Sequence, residues 1–297
     1  MSTSEPITYD ILRVLGKWAQ IGTNSPAIRR GLLRYFSSLH QKAVLPDCAE
    51  VATFHLLVYR LGHRTRFRAA SPETVWDTDS EPRALCMLRT LFGKYFWTRE
   101  TNHVLYEGTA LADAAGGHLL LGPPDLQAAL TTSLISQGWT YSGAIGVIEL
   151  PTQNLCSLAL PMLVSDRCVR AFKSLQARLT AEDEWGYADN AIRLWVLDPC
   201  RMLGAGISPP VPIASIVLLS SCSSGLSKLR KMPTEEAMQL LVAEAINIAY
   251  HHDKEAVIKC LHGIALKPGA VKHLHIAGIE QAANLMASDS SPKSGDT

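Results

Sequence analysis

The chain has 297 residues, 47% of them hydrophobic and 19% charged, with 28 Lys plus Arg against 27 Asp plus Glu. So apolar and lightly charged a chain is not intrinsically disordered. Its 20 Gly and 16 Pro exclude a collagenous or low-complexity polymer, and its length is ample for one large domain or two modest ones.

Seven cysteines occur and none forms a C-x-x-C, which argues against a disulfide framework and for a reducing compartment. The first residues hold no basic stretch followed by an apolar run, so no secretory signal is expected. Two uncharged runs, 126–148 and 202–227, are broken by Thr, Ser, Gln, Gly or Pro. Neither gives the roughly 20 consecutive apolar residues of a spanning helix. Both are expected in a core, with no membrane partner. The expected location is intracellular, cytoplasmic or virion-associated.

In chain order, Ile7, Ile11, Leu12, Leu15 and Trp18 recur at helical spacing, with Gly22 as a stop. Ser25-Pro26 opens a second helix carrying Ile28, Leu32, Leu33, Tyr35 and Phe36. Asp47 is expected to start a third, through Val51, Phe54, Leu57, Val58 and Leu61 to Gly62. Residues 71–81 look like a loop, and Ser80-Glu81-Pro82 opens the next helix, with Leu85, Leu88, Leu91, Phe92 and Phe96. The stretch 104–121 is rich in Gly and Ala, with a short strand near 119–121. Pro124 opens a helix to Ser136, and 144–150 is the best strand of this region. Residues 161–179 and 183–197 suit helices, and 213–221 is β-branched enough for a buried strand. Helices are expected over 234–249, 253–264 and 274–286, followed by a disordered tail. The expected fold is therefore mainly α-helical, with minor β structure at about 119–150 and 213–221. The expected division is a basic helical lobe over 1–100, a larger helical lobe over 101–287 and a tail over 288–297.

The near-neutral total hides a gradient. Residues 1–100 carry a net +5, 101–200 a net −5 and 201–297 a net +1. Ten basic and two acidic residues lie between Ile11 and Ala70. Arg29, Arg30, Arg34, Arg60, Arg64, Arg66 and Arg68 suit bidentate phosphate contacts, and Phe67 among them offers a stacking face. The plain alternative is the solvated face of an amphipathic helix, or pairing with acidic residues elsewhere.

No catalytic constellation stands out. A neighbouring His-Asp holds metal in HD-type phosphohydrolases, but His251-His252-Asp253 suits a helix end whose Asp253 caps the next helix. Cys260, His262, His273 and His275 carry metal-capable atoms at no recognised zinc spacing, and helical residues two apart face different ways. Ser220–Gly225 lacks G-x-S-x-G. No G-x-x-x-x-G-K-[ST] exists, and Gly122-Pro123-Pro124 is expected to be a turn.

The function these features favour is a non-enzymatic, nucleic-acid-associated protein of nucleoprotein or coat-protein type. Its partner would be RNA more readily than DNA, with possible homo-oligomers and no cofactor. The alternatives are a metal-dependent hydrolase around His251, His252 and Asp253, and an interaction scaffold without nucleic acid.

Overall fold

A computed structural model describes residues 6–41, 49–187, 193–222 and 225–290. It divides into two compact units that interleave along the chain. Unit 1 takes residues 1–99, 165–167 and 179–197, and unit 2 takes 100–164, 168–178 and 198–297.

The chain begins with β1 (Thr8–Val14) and β2 (Lys17–Thr23), an antiparallel hairpin where a helix was expected. The burial period is two: Asp10, Leu12 and Val14 face inward, as do Ala19 and Ile21. Leu15 and Gly16 both take positive φ and close the two-residue turn. Helix α1 (Pro26–Tyr35) follows, with Ser25 accepting from the Ile28 amide as its N-cap. Asp47 lies outside the described residues. Residues 51–61 form strand β3 (Val51–Leu61) and not the expected helix, burying Ala52, Phe54 and Leu56 in alternation. Then come β4 (Arg64–Ala70), β5 (Val75–Thr78) and the Ser80-capped helix α2 (Glu81–Trp97).

These strands make one sheet in the order β1-β2-β3-β4-β5. Only β2 and β3 run parallel, with α1 connecting them. Phe36, Phe54, Phe92 and Phe96 form the aromatic centre of unit 1, with ring centroids 4.7–6.1 Å apart.

The chain continues through β6 (His103–Tyr106), β7 (Gly108–Asp113), β8 (Gly116–Leu121) and α3 (Pro124–Ser136). Next are β9 (Thr140–Gly143), β10 (Gly146–Glu149), β11 (Asn154–Cys156) and β12 (Met162–Ser165). Two short helices, α4 (Asp166–Ala171) and α5 (Lys173–Gln176), stand where one long helix was expected. Within 183–197, β13 (Glu184–Tyr187) and β14 (Arg193–Leu197) pair antiparallel, again where a helix was expected. It belongs to unit 1, where Trp185 packs on Tyr35 at 4.7 Å.

The remaining α-helices and strands are α6 (Pro199–Leu203), β15 (Val211–Ser221), β16 (Lys228–Lys231), α7 (Thr234–Glu244), α8 (Lys254–Ala265), β17 (Val271–Ile276) and α9 (Ile279–Ser290). Residues 288–290 thus end α9, and 291–297 lie outside the described residues.

Unit 2 is built on a nine-stranded sheet. At its centre β8, β15 and β17 run parallel. Leu119, Leu121, Ile216 and Val271 face α7 and α8, whose Leu241, Val257 and Leu261 bury against them. The opposite face is covered by α3 and α9. Helix and strand are present in comparable amounts, so the fold is mixed α+β. The expectation of a mainly helical fold is overturned. The apolar spacing in residues 7–22 and 51–61 serves strands with one buried face, and that of 184–187 and 193–197 serves two short antiparallel strands.

Candidate functional site

The Arg-rich segment does not form one helical surface. Residues 8–23 are strands, Arg29, Arg30 and Arg34 lie on α1, and Arg60, Arg64, Arg66, Phe67 and Arg68 lie on the β3–β4 hairpin. Along β4, Arg64, Arg66 and Arg68 project to one face and Phe67 to the other, beside Val58 and the core. Phe67 therefore cannot stack among them. Two arginines are already spent on bidentate carboxylate bonds, Arg29 to Asp10 at 2.7 and 2.8 Å and Arg68 to Asp77 at 2.9 and 3.1 Å. The Arg68 bonds hold the Asp77 carboxyl below its usual range. Arg30 and Arg34 line a hollow of about 530 Å³ together with Glu81 and Glu184, so its charge is mixed. The expected nucleoprotein or coat-protein function, with an Arg-rich helix as its instrument, is overturned by this arrangement.

The hydrolase alternative fares no better. Among the described residues, no group of three or more His, Cys, Asp or Glu side chains is placed to hold a metal. His251 is buried, with Nε2 3.0 Å from the His103 carbonyl and from Asn247 Nδ2. Asp253 accepts from the Ala256 amide at 2.8 Å and caps α8. Cys260 is buried beneath the sheet, away from solvent.

Unit 2 contains an Asp–His–Ser chain that its sequence does not advertise. His118 lies 3.0 Å from Asp113 Oδ1 through Nε2 and 2.8 Å from Ser215 Oγ through Nδ1. Its ring packs on Trp139 at 4.5 Å. Ser215 is 2% exposed, so its hydroxyl is not presented to a substrate. The chain of bonds ties β8 to β15 and braces the β7–β8 turn.

The turn between β8 and α3 occupies the place where a parallel strand meets a helix and phosphates often bind. Here Pro123 and Pro124 supply no N–H groups. Gln127 fills the turn, donating to the Gly122 carbonyl at 2.7 Å and accepting from the Thr109 amide and hydroxyl at 2.9 Å. It is a braced turn, not a phosphate cradle.

A concavity of unit 2 lies further along α3. A cleft of about 680 Å³ opens between α3, α5, α6 and the start of α9. Ala129, Thr132, Ser133 and Ser136 leave the space because their side chains are small. Ile135, Phe172, Leu175, Leu203 and Ile279 supply apolar wall, and Arg178 and Glu280 supply one charge of each sign. Arg178 Nη1 donates to the Met202 carbonyl at 2.8 Å, which positions the guanidinium. No residue of this cleft was singled out from the sequence. The available signal was the cluster of Thr and Ser within the uncharged run 126–148, small polar side chains on an otherwise buried helix.

No protein-family model matches the chain, and the comparison with curated proteins finds no match. Among the described residues, no helix is long and apolar enough to cross a membrane.

Proposed function

We propose that unit 2 is a ligand-binding module whose cleft holds a small zwitterion with an apolar body, of the amino-acid or short-peptide type. The carrying observation is the composition of the wall: a guanidinium, a carboxylate and several hydroxyls set among apolar side chains. The volume falls within the roughly 300–1,000 Å³ of small-molecule sites. Arg178 uses one donor on Met202, and a guanidinium has five, so donors remain for a carboxylate. Glu280 would meet an ammonium group, and Phe172 and Ile135 an apolar side chain.

Thermal denaturation of the full chain across a panel of amino acids and dipeptides tests this. A ligand at a hundred times its Kd is expected to stabilise by about 2.7 kcal/mol. Arg178→Ala should remove the effect for every responding ligand, while Glu280→Gln should remove it for those carrying a free amine. If no panel member shifts the midpoint, or if the shift survives both substitutions, the reading is wrong.

A further inference from the structure

On the opposite face of the same sheet, three neighbouring strands bring five polar donors together. Ser220 stands on β15, His273 and His275 on β17, and Lys228 and Arg230 on β16. Ser220 pairs in register with His275, His275 with Lys228, and His273 with Arg230. Residues paired in this way project to one side of a sheet. Reading His273 and His275 as strand residues changes their geometry: two apart in a helix they diverge, and two apart in a strand they converge.

The contacts are close. Ser220 Oγ lies 2.9 Å from His273 Nε2 and 3.0 Å from His275 Nδ1, and the two imidazoles stack with centroids 3.9 Å apart. Each ring spends one nitrogen on the hydroxyl. Among the described residues, His273 Nδ1 and His275 Nε2 make no hydrogen bond, and Lys228 and Arg230 make no ion pair. The cluster sits at the carboxyl end of the parallel pair β15–β17, the end of such sheets where ligands are received.

These donors want an anion. Burial opposes protonation of His273 most, the neighbouring His275 ring and Arg230 oppose it too, and Glu236 of α7 acts the other way. A negative ion against the outward nitrogens would offset the two repulsions. A transition-metal ion would instead face Arg230 and Lys228, and the described residues add no third His, Cys or carboxylate ligand.

We propose that Ser220, His273, His275, Arg230 and Lys228 form a binding site for a tetrahedral oxyanion, phosphate or sulfate, free or as the end of an ester. Calorimetric titration of the full chain with sulfate tests it, because sulfate keeps its charge at every pH used. Binding is expected at about pH 5.5 and should weaken about tenfold or more at about pH 8, where imidazole is neutral. Arg230→Ala, an exposed position on a short strand, should weaken it by about tenfold without touching the core, and replacing His273 and His275 together by Gln should abolish the pH dependence. Inorganic phosphate and a simple alkyl phosphate form two further arms. Tighter binding of the ester identifies an esterified ligand and equal binding a free ion, and both support the site. Absence of sulfate and phosphate binding at the lower pH overturns the proposal, as does binding unchanged by Arg230→Ala and by the double Gln substitution. Loss of sulfate binding in Arg178→Ala would move the anion to the cleft and overturn it too. Zinc binding that needs His273 and strengthens in Arg230→Ala would replace the anion with a metal.

Discussion

His103 shows how one residue's surroundings set its charge. On β6 its Nδ1 lies 2.9 Å from Glu100 Oε1, and Glu100 is 2% exposed. Burial opposes the imidazolium, but hydrogen bonds to Cys156 and Glu100 outweigh it and raise the pKa to about 9. The unfolded chain releases this proton near pH 6.5. Between these values the folded state holds a proton that the unfolded state has lost, so stability falls as pH rises through this window. Below it the contribution is complete, and above it the contribution is gone. Urea midpoints from about pH 6 to about pH 9.5 should therefore decline, and His103→Gln should flatten the decline. A wild-type profile already flat over this range would rule it out. Nothing in the sequence marks His103 for this role, since Glu100 and Cys156 meet it only through the turn before β6 and the β10–β11 pairing. Asp253 was legible, because a cap is made within three residues of its own position.

At the scale of elements, helices with local punctuation and the apolar strands near 119–121, 144–150 and 213–221 were readable, and the half-buried strands β1, β2 and β3 were not. Ser25-Pro26, Ser80 with Pro82, Pro124 and Asp253 each open a helix where expected. The β1–β2 hairpin was not readable, because its turn uses Leu15-Gly16 and not the Asn-Gly or Asp-Gly that signals such a turn. Leu15 takes a φ of 48°, which a branched aliphatic residue adopts only when the flanking strands impose it. The candidate cleft was hidden for a related reason: it joins α3, α5, α6 and α9, which are distant in sequence. The β8–α3 junction offers a direct test of one element boundary. Gly122 has a φ of +117°, and a Cβ there would sit 2.6 Å from the Leu219 carbonyl oxygen. Gly122→Ala should cost about 2 kcal/mol or more in chemical denaturation, through backbone strain and separation of β8 from β15. A loss below about 0.5 kcal/mol would show that the junction relaxes freely.

For the whole molecule, the charge gradient has a structural explanation that needs no polyanion. The basic early residues belong to unit 1, where Asp10 and Asp77 neutralise two of the arginines directly. Unit 1 is also discontinuous, and no shift in composition marks the return of residues 179–197 to it. A fragment ending at Arg99 lacks that return and leaves Tyr35 without the Trp185 ring. It is expected to lose cooperative unfolding, or to melt well below the full chain, by calorimetry. A fragment as stable as unit 1 in the intact protein would show that the β13–β14 hairpin is dispensable.

The interleaving of the two units also sets a timetable for synthesis. The first 99 residues leave the ribosome before the hairpin that completes their unit exists, and Leu179 is the 80th residue after Arg99. At about 5–20 residues per second, that is a wait of roughly 4–16 s. During it, the end of α1 presents the surface around Tyr35 to the cell uncovered. Chaperone capture of nascent chains should therefore peak at lengths between these two points and fall once residue 197 has emerged.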